Sequence, residues 1–123
     1  MENLVQLYQA LGDANRLRII NLLLDTQELC VCDIERVLLL PQTRVSRHLL
    51  YLKHAGIVSA RRNGQWMHYS LIRNSDILQN MFEQLMQAFA AVPDLRADRQ
   101  KLHSTSDLVC CVTVAKPIDI ALP

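Results

Sequence analysis

The chain has 123 residues, half of them apolar, enough for one domain with a modest core and no covalent staples. No apolar run approaches the ~18 residues of a membrane span, and the opening MENLVQLYQALG lacks the basic start and small-residue cleavage site of a signal peptide, so a cytoplasmic protein is expected. The formal net charge of +1 conceals a segregation: of 13 Lys/Arg and 12 Asp/Glu, Arg36, Arg44, Arg47, Lys53, Arg61, Arg62 and Arg73 fall in one stretch that holds no acid. Such a stretch is the electrostatic footprint of a polyanionic partner.

In chain order, Leu4, Leu7, Tyr8 and Leu11 recur at helical spacing before Gly12 breaks the run. Asp13 is placed to cap a second helix, ANRLRIINLLLD, with Leu17, Ile20 and Leu24 on one side. A third, short helix is expected from near Cys32 to about Leu40, and Pro41 ends it. Pro41 and Gln42 open a fourth helix that runs through Ala55 and stops at Gly56. Its stripe of Val45, Leu49 and Leu52 faces inward and leaves Thr43, Arg44, Arg47 and Lys53 outward. Two helices across a short turn, the second one basic, form a helix-turn-helix pattern. Next comes IVSARRNGQWMHYSL, which reads as strand, Asn63-Gly64 turn and strand, because both turn positions require positive φ. A hairpin directly after a recognition helix is a wing.

From Asp76 to about Ala91 an amphipathic helix carries Ile77, Leu78, Met81, Phe82, Leu85, Met86 and Phe89, a stripe wide enough for its own domain and a second copy. Pro93 interrupts it. DLRADRQKLH adds a helical turn or two, and the tail shows only a brief β-like run from Val109 to Val114. The expected fold is mainly α with a β-hairpin wing, a winged helix-turn-helix acting as a homodimer. Residues 1–92 form the DNA-binding and dimerisation domain, and 93–123 form an extension that carries Cys110 and Cys111.

Sequence-specific DNA binding needs phosphate contacts for position and a few side chains at base edges for reading. Gln42, Thr43, Arg44, Ser46, Arg47 and His48 offer that chemistry, since Arg suits guanine, Gln suits adenine and the Thr methyl suits thymine. In the wing, Arg61, Arg62, Asn63 and Gln65 are candidates for phosphates or the adjacent minor groove. His48 is divided between DNA contact and helix packing. His54 and His68 read as structural or surface residues.

Cys30, Cys32, Cys110 and Cys111 in a reducing compartment are expected as thiols or metal ligands, and a bridge within Cys-x-Cys or between adjacent cysteines is expected to be strained. Cys32 begins a helix, whose unpaired N–H groups and positive dipole end favour thiolate. Thiolates select soft or borderline ions such as Cd(II), Pb(II) and Zn(II). Two are too few for high affinity.

The segments LGDANRLRIINLL, ELCVCDI, PQTRVSRHLLYLKHAGIV and RRNGQWMHYSL resemble the ArsR/SmtB family of dimeric winged-helix metalloregulatory repressors, from about Leu4 to Met86. The resemblance implies a dimer that holds an inverted-repeat operator and leaves it when an ion binds. ELCVCD resembles the branch that senses As(III) and Sb(III), with a cadmium and lead branch close by. By that resemblance Cys30 and Cys32 are metal ligands. The commonest arsenic pattern has a third cysteine where this chain has Glu35, so Cys110 and Cys111, in the same subunit or across the dimer, are expected to supply the missing sulfur. The zinc site on the long helix of other members is expected to be absent, because Ser75 to Ala91 holds no histidine.

The alternative use of the same residues is a repressor switched by thiol oxidation. No glycine-rich nucleotide loop and no nucleophile-base pairing points to an enzyme. A dithiol oxidoreductase would want Cys-x-x-Cys beside a βαβ unit.

Overall fold

The computed structural model describes residues 1–104; the expected β-like run at 109–114, with Cys110 and Cys111, lies outside them. Asp13 caps α2 (Ala14–Leu24), accepting from the backbone N–H groups of Asn15 and Arg16 at 2.8 and 3.1 Å, which satisfies donors that a helix start otherwise leaves bare. Sequence spacing assigned α2 one apolar face. In the structure Ile19, Ile20, Asn21, Leu22 and Leu23 are all buried, because α1 (Glu2–Leu11) and five later elements close around it. A helix covered on most sides loses its amphipathic signature.

α3 (Val31–Leu38) and α4 (Gln42–His54) form the helix-turn-helix pair. The turn depends on Leu39, whose φ of 57° is left-handed and whose N–H bonds Glu35 O at 2.9 Å. A branched side chain is disfavoured there, yet Leu39 is exposed, so its Cβ meets no core neighbour. Pro41 precedes α4 in extended backbone. Val45, Leu49 and Leu52 are fully buried, as their spacing requires.

The wing strands are β2 (Val58–Asn63) and β3 (Trp66–Leu71), in antiparallel register from Val58↔Leu71 to Asn63↔Trp66. The turn residues are Gly64 and Gln65, one position later than the expected Asn63-Gly64: Gly64 supplies the positive φ of 65°, and Asn63 is still paired with Trp66 in β2. A third strand that the sequence did not disclose, β1 (Leu29–Cys30), pairs with the other side of β3 through Leu29↔Tyr69 and Cys30↔His68. Two residues are too short for a period-2 signal, so only the partner strand defines it.

α5 (Asp76–Ala90) buries Leu78, Phe82 and Phe89 and leaves Ile77 and Met86 exposed. Exposed Leu4, Val5 and Tyr8 form a similar apolar surface on α1. The expected helical turn or two after Pro93 is instead a twelve-residue helix, α6 (Pro93–Ser104). Proline suits the first turn of a helix, where its missing N–H costs nothing. α6 lies against α2, α3 and α5. Arg18 grips Asp98 with two bonds of 2.9 and 3.1 Å, and Asn21 donates to Leu95 O while accepting from Arg99 Nε. His103 pairs with Asp25 at its far end.

Candidate nucleic-acid interface and thiol site

Burial of every third or fourth side chain of α4 leaves Gln42, Thr43, Arg44 and Arg47 exposed on the opposite face, with Ser46 half-buried beside them. Among the described residues no carboxylate pairs with Arg44 or Arg47. Their guanidinium groups are therefore available to an external anion. His48 is half-buried, its Nδ1 3.5 Å from Arg16 Nη1. Burial, together with Arg16, Arg44 and Arg47 and against the counter-pull of Asp13, holds its pKa below the usual imidazole value. Arg16 in turn stacks on the Tyr51 ring at 4.0 Å and donates to Ala10 O. It thereby fastens α4 to the α1–α2 corner. Sequence reading missed this role of Arg16, since nothing local distinguishes it from a surface arginine.

In the wing, Arg62, Asn63 and Gln65 are exposed. Arg61 is engaged: its Nε and Nη2 donate to Glu28 Oε2 and Oε1 at 3.0 and 2.7 Å. That bond lowers the Glu28 pKa despite burial, which opposes it. Beside the pair, His68 is buried, with Nδ1 4.0 Å from Glu28 Oε1 and, among the described residues, no hydrogen-bond partner at Nε2. Burial lowers its pKa, and Arg61 adds to this while Glu28 opposes it.

The sulfurs of Cys30 and Cys32 meet in a disulfide across one intervening residue. This departs from the expectation of Cys30 and Cys32 as thiols or metal ligands rather than as a bridge. Cys30 ends β1 in extended backbone and serves as N-cap of α3. The chain bends there and brings the two Cα atoms to 5.4 Å, inside the ~4.4–6.8 Å that disulfides span.

Cys30 Sγ also lies 3.4 Å from Asp33 Oδ2, a contact in which a reduced thiol is the donor. The two sulfurs and the Asp33 carboxylate all lie within 4.8 Å of one another, the one three-donor group of metal-binding type among the described residues. The motif reading gave Asp33 no role; its place in the first turn of α3, one residue after Cys32, was the available signal. Cys32 also lines an open groove of about 570 Å³ with Glu35, Arg36, Leu39, Leu40 and Pro41. The donor set of two thiols and one carboxylate fits a soft or borderline ion. Cys30 is buried and Cys32 half-buried, so access is from the Cys32 side.

A family model described as "Bacterial regulatory protein, arsR family" matches residues 13–60, the span from the α2 cap into the wing. The arsenic resistance transcriptional regulator ArsR2 of Pseudomonas putida is 33% identical over 110 residues, covering 85% of this chain and 94% of the relative. The chain belongs to the ArsR family. The arsenical resistance operon repressor of Escherichia coli is 43% identical over 67 residues, 54% of this chain and 57% of its own length, so the chain spans little more than half of that relative. The cadmium resistance regulatory protein CadC of Listeria innocua is 38% identical over 74 residues, 60% and 61% of the two chains. Among solved structures, HlyU from Vibrio cholerae has a TM-score of 0.65 at 32% identity, covering 72% of this chain and 94% of that one. The homodimeric winged helix-turn-helix domain of Mb0332 from Mycobacterium bovis has a TM-score of 0.62 at 26% identity, covering 71% and 78%.

Membership makes the chain a regulator of transcription with a winged helix-turn-helix, not an enzyme. Among the described residues no helix is long and apolar enough to cross a membrane.

Proposed function

We propose that this ArsR-family chain is a repressor that grips operator DNA as a homodimer and lets go when its thiolates capture a thiophilic ion, As(III) or Sb(III) by preference. The observation that carries this reading is the convergence of Cys30, Cys32 and Asp33 at the start of α3, the helix packed against α4, whose outer face is basic and exposed. When bound, the ion supplies bonds to sulfur that are stronger than any contact the thiols make without it. The protein supplies the leverage. Cys32 lies in the first turn of α3 and Cys30 on β1, and their sulfurs already meet there, so it is the pull of the ion toward a third, distant sulfur that shifts α3 against α4 and disturbs the recognition surface.

Gln42, Thr43, Arg44, Ser46 and Arg47 read bases and phosphates, with Arg61, Arg62, Asn63 and Gln65 of the wing on the flanking backbone. His48, half-buried against Arg16, supports the helix more than it reads DNA. A dimer joined through the exposed apolar residues of α1 and α5 presents two α4 helices to an inverted repeat. An arsenic site needs a third sulfur, which we assign to Cys110 or Cys111 in the tail. Asp33 is the third donor if the ion is Cd(II), Pb(II) or Zn(II), which accept carboxylate; arsenic and cadmium regulators among the relatives support either choice.

Titration of the reduced protein with arsenite, cadmium and lead on operator DNA tests the assignment. Cys30→Ser and Cys32→Ser are expected to keep operator binding and lose ion-induced release, and truncation after His103 is expected to weaken arsenite more than cadmium. Normal arsenite release from both serine variants would end the reading. The disulfide between Cys30 and Cys32 favours a second one, in which oxidation of the pair moves α3. Oxidant-driven release without any sulfur-to-metal absorbance under reducing, anaerobic conditions would select it.

A further inference from the structure

Three residues stand in one row across the sheet: Cys30 of β1 faces His68 of β3, and His68 faces Arg61 of β2. Directly opposed residues share a face and lie in side-chain contact range. Glu28 precedes Cys30 by two positions, the spacing that returns an extended chain to the same face. It reaches over buried His68 and closes on Arg61 with both carboxylate oxygens. The thiol site and the tip-directed half of the wing are thus joined by one carboxylate.

The bonded edge of Arg61, Nε with Nη2, is the edge that a guanidinium offers to phosphate in the same bidentate geometry. A DNA phosphate must therefore displace Glu28 or approach beside its negative charge. Arg62, the next residue, points to the opposite face of the strand and has no ion-pair partner among the described residues. One wing arginine is ready for DNA and its neighbour is held back.

We propose that Glu28 is a positioning residue that competes with operator phosphate for Arg61 and so ties the grip of the wing to the state of β1. With the latch closed the wing contributes one fewer phosphate contact, and in the wild-type operator complex the closed latch persists in part, so that removing the Glu28 charge adds the contact. Sulfur capture at Cys30 pulls on β1 two residues away, and a β1 held toward α3 keeps Glu28 in place over His68. The closed latch is then part of the low-affinity state, and by linkage DNA and ion oppose each other through it. This inference rests on the functional reading above, in which the wing touches the DNA backbone.

The test is operator affinity of the reduced, ion-free dimer as a function of salt, for wild type, Glu28→Gln, Arg61→Ala and the double variant. Glu28→Gln is expected to bind about two- to fivefold more tightly, the range of a partly exposed ion pair, and to steepen the slope of log K against log salt by about one. In the Arg61→Ala background the same change is expected to alter neither quantity. The factor by which arsenite or cadmium releases DNA is expected to shrink in Glu28→Gln. Unchanged or weaker binding by Glu28→Gln at an unchanged slope, or an equal gain in both backgrounds, would overturn the latch. If Arg61→Ala itself leaves the slope of the wild type unchanged, the failure lies in the wing contact of the functional reading instead. Far-UV circular dichroism checks folding, and Glu28→Asp, which keeps the charge but shortens the reach by one methylene, is read by the same slope should the glutamine variant not fold.

Discussion

Asn21→Ala is the sharpest perturbation of the α2–α6 junction. Asn21 is fully buried, and both ends of its carboxamide are committed across the junction: Nδ2 donates to Leu95 O at 2.9 Å and Oδ1 accepts from Arg99 Nε at 2.8 Å. Alanine deletes both partners at once, leaving Arg99 Nε without a bond and Leu95 O with only its bond inside α6. A buried orphan costs about 1–3 kcal/mol and a lost hydrogen bond about 0.5–1.5 kcal/mol, so the variant is expected to lose about 2–5 kcal/mol, with the small vacated volume adding to the upper end. Against a typical total of about 5–15 kcal/mol, that is a large share. Urea unfolding followed by circular dichroism, at one fixed protein concentration because association contributes to stability, gives the number. Arg99 Nη2 already lacks a partner among the described residues, which makes the Arg99 side the more costly one. A loss below about 1 kcal/mol with an unchanged denaturant slope would refute the reasoning, since it would mean that α6 leaves α2 at little cost and that the polar clasp does not hold it.

Two further outcomes follow from the capped helix and from the basic face. Asp13→Ala is expected to cost about 1 kcal/mol at neutral pH through the lost α2 cap. Burial works to raise the Asp13 pKa, but the backbone bonds from Arg16 and Asn15, with the charges of His48 and Arg16, leave it below the ordinary value. A carboxylate depressed in the folded state stabilises above its unfolded pKa and ceases to do so as pH falls through its folded value. The gap between wild type and variant is therefore expected to close below about pH 4, and urea melts in a pH series would show it. Arg44→Ala and Arg47→Ala are each expected to weaken operator binding and flatten its salt slope by about one, while the sulfur-to-metal absorbance on ion addition stays intact.

The basic outer face of α4 and the wing were legible because their signals are local. Val45, Leu49 and Leu52 recur at helical spacing and are buried, which alone dictates that Arg44 and Arg47 face outward. Asn63-Gly64 marked the place of a tight turn to within one residue: Gly64 has the positive φ, while Asn63 still pairs with Trp66 as the end of β2. Cys30 and Cys32 were marked by their spacing and by a helix start. Other features left no such trace. Leu39 in a left-handed turn runs against its own preference, and α2 looked one-sided though it is wrapped by neighbours. The length of α6 was underestimated because its polar residues suggest a solvated stretch, whereas Asp98 is buried against Arg18.

The amino-acid sequence by itself determined the helix-turn-helix pair, the hairpin after it, the thiol pair and the family, since each depends on short runs of residues. Only the tertiary structure decided that Cys30 closes on Cys32 with Asp33 beside them, that Arg61 is held by Glu28 across a buried histidine, and that α6 is clasped to α2. The last two join residues far apart in the chain, and the first depends on the bend where β1, held by β3, passes into α3. Their free energy comes from burial and from polar groups that must find partners once water is excluded, and neither exists until the helices and the sheet have met.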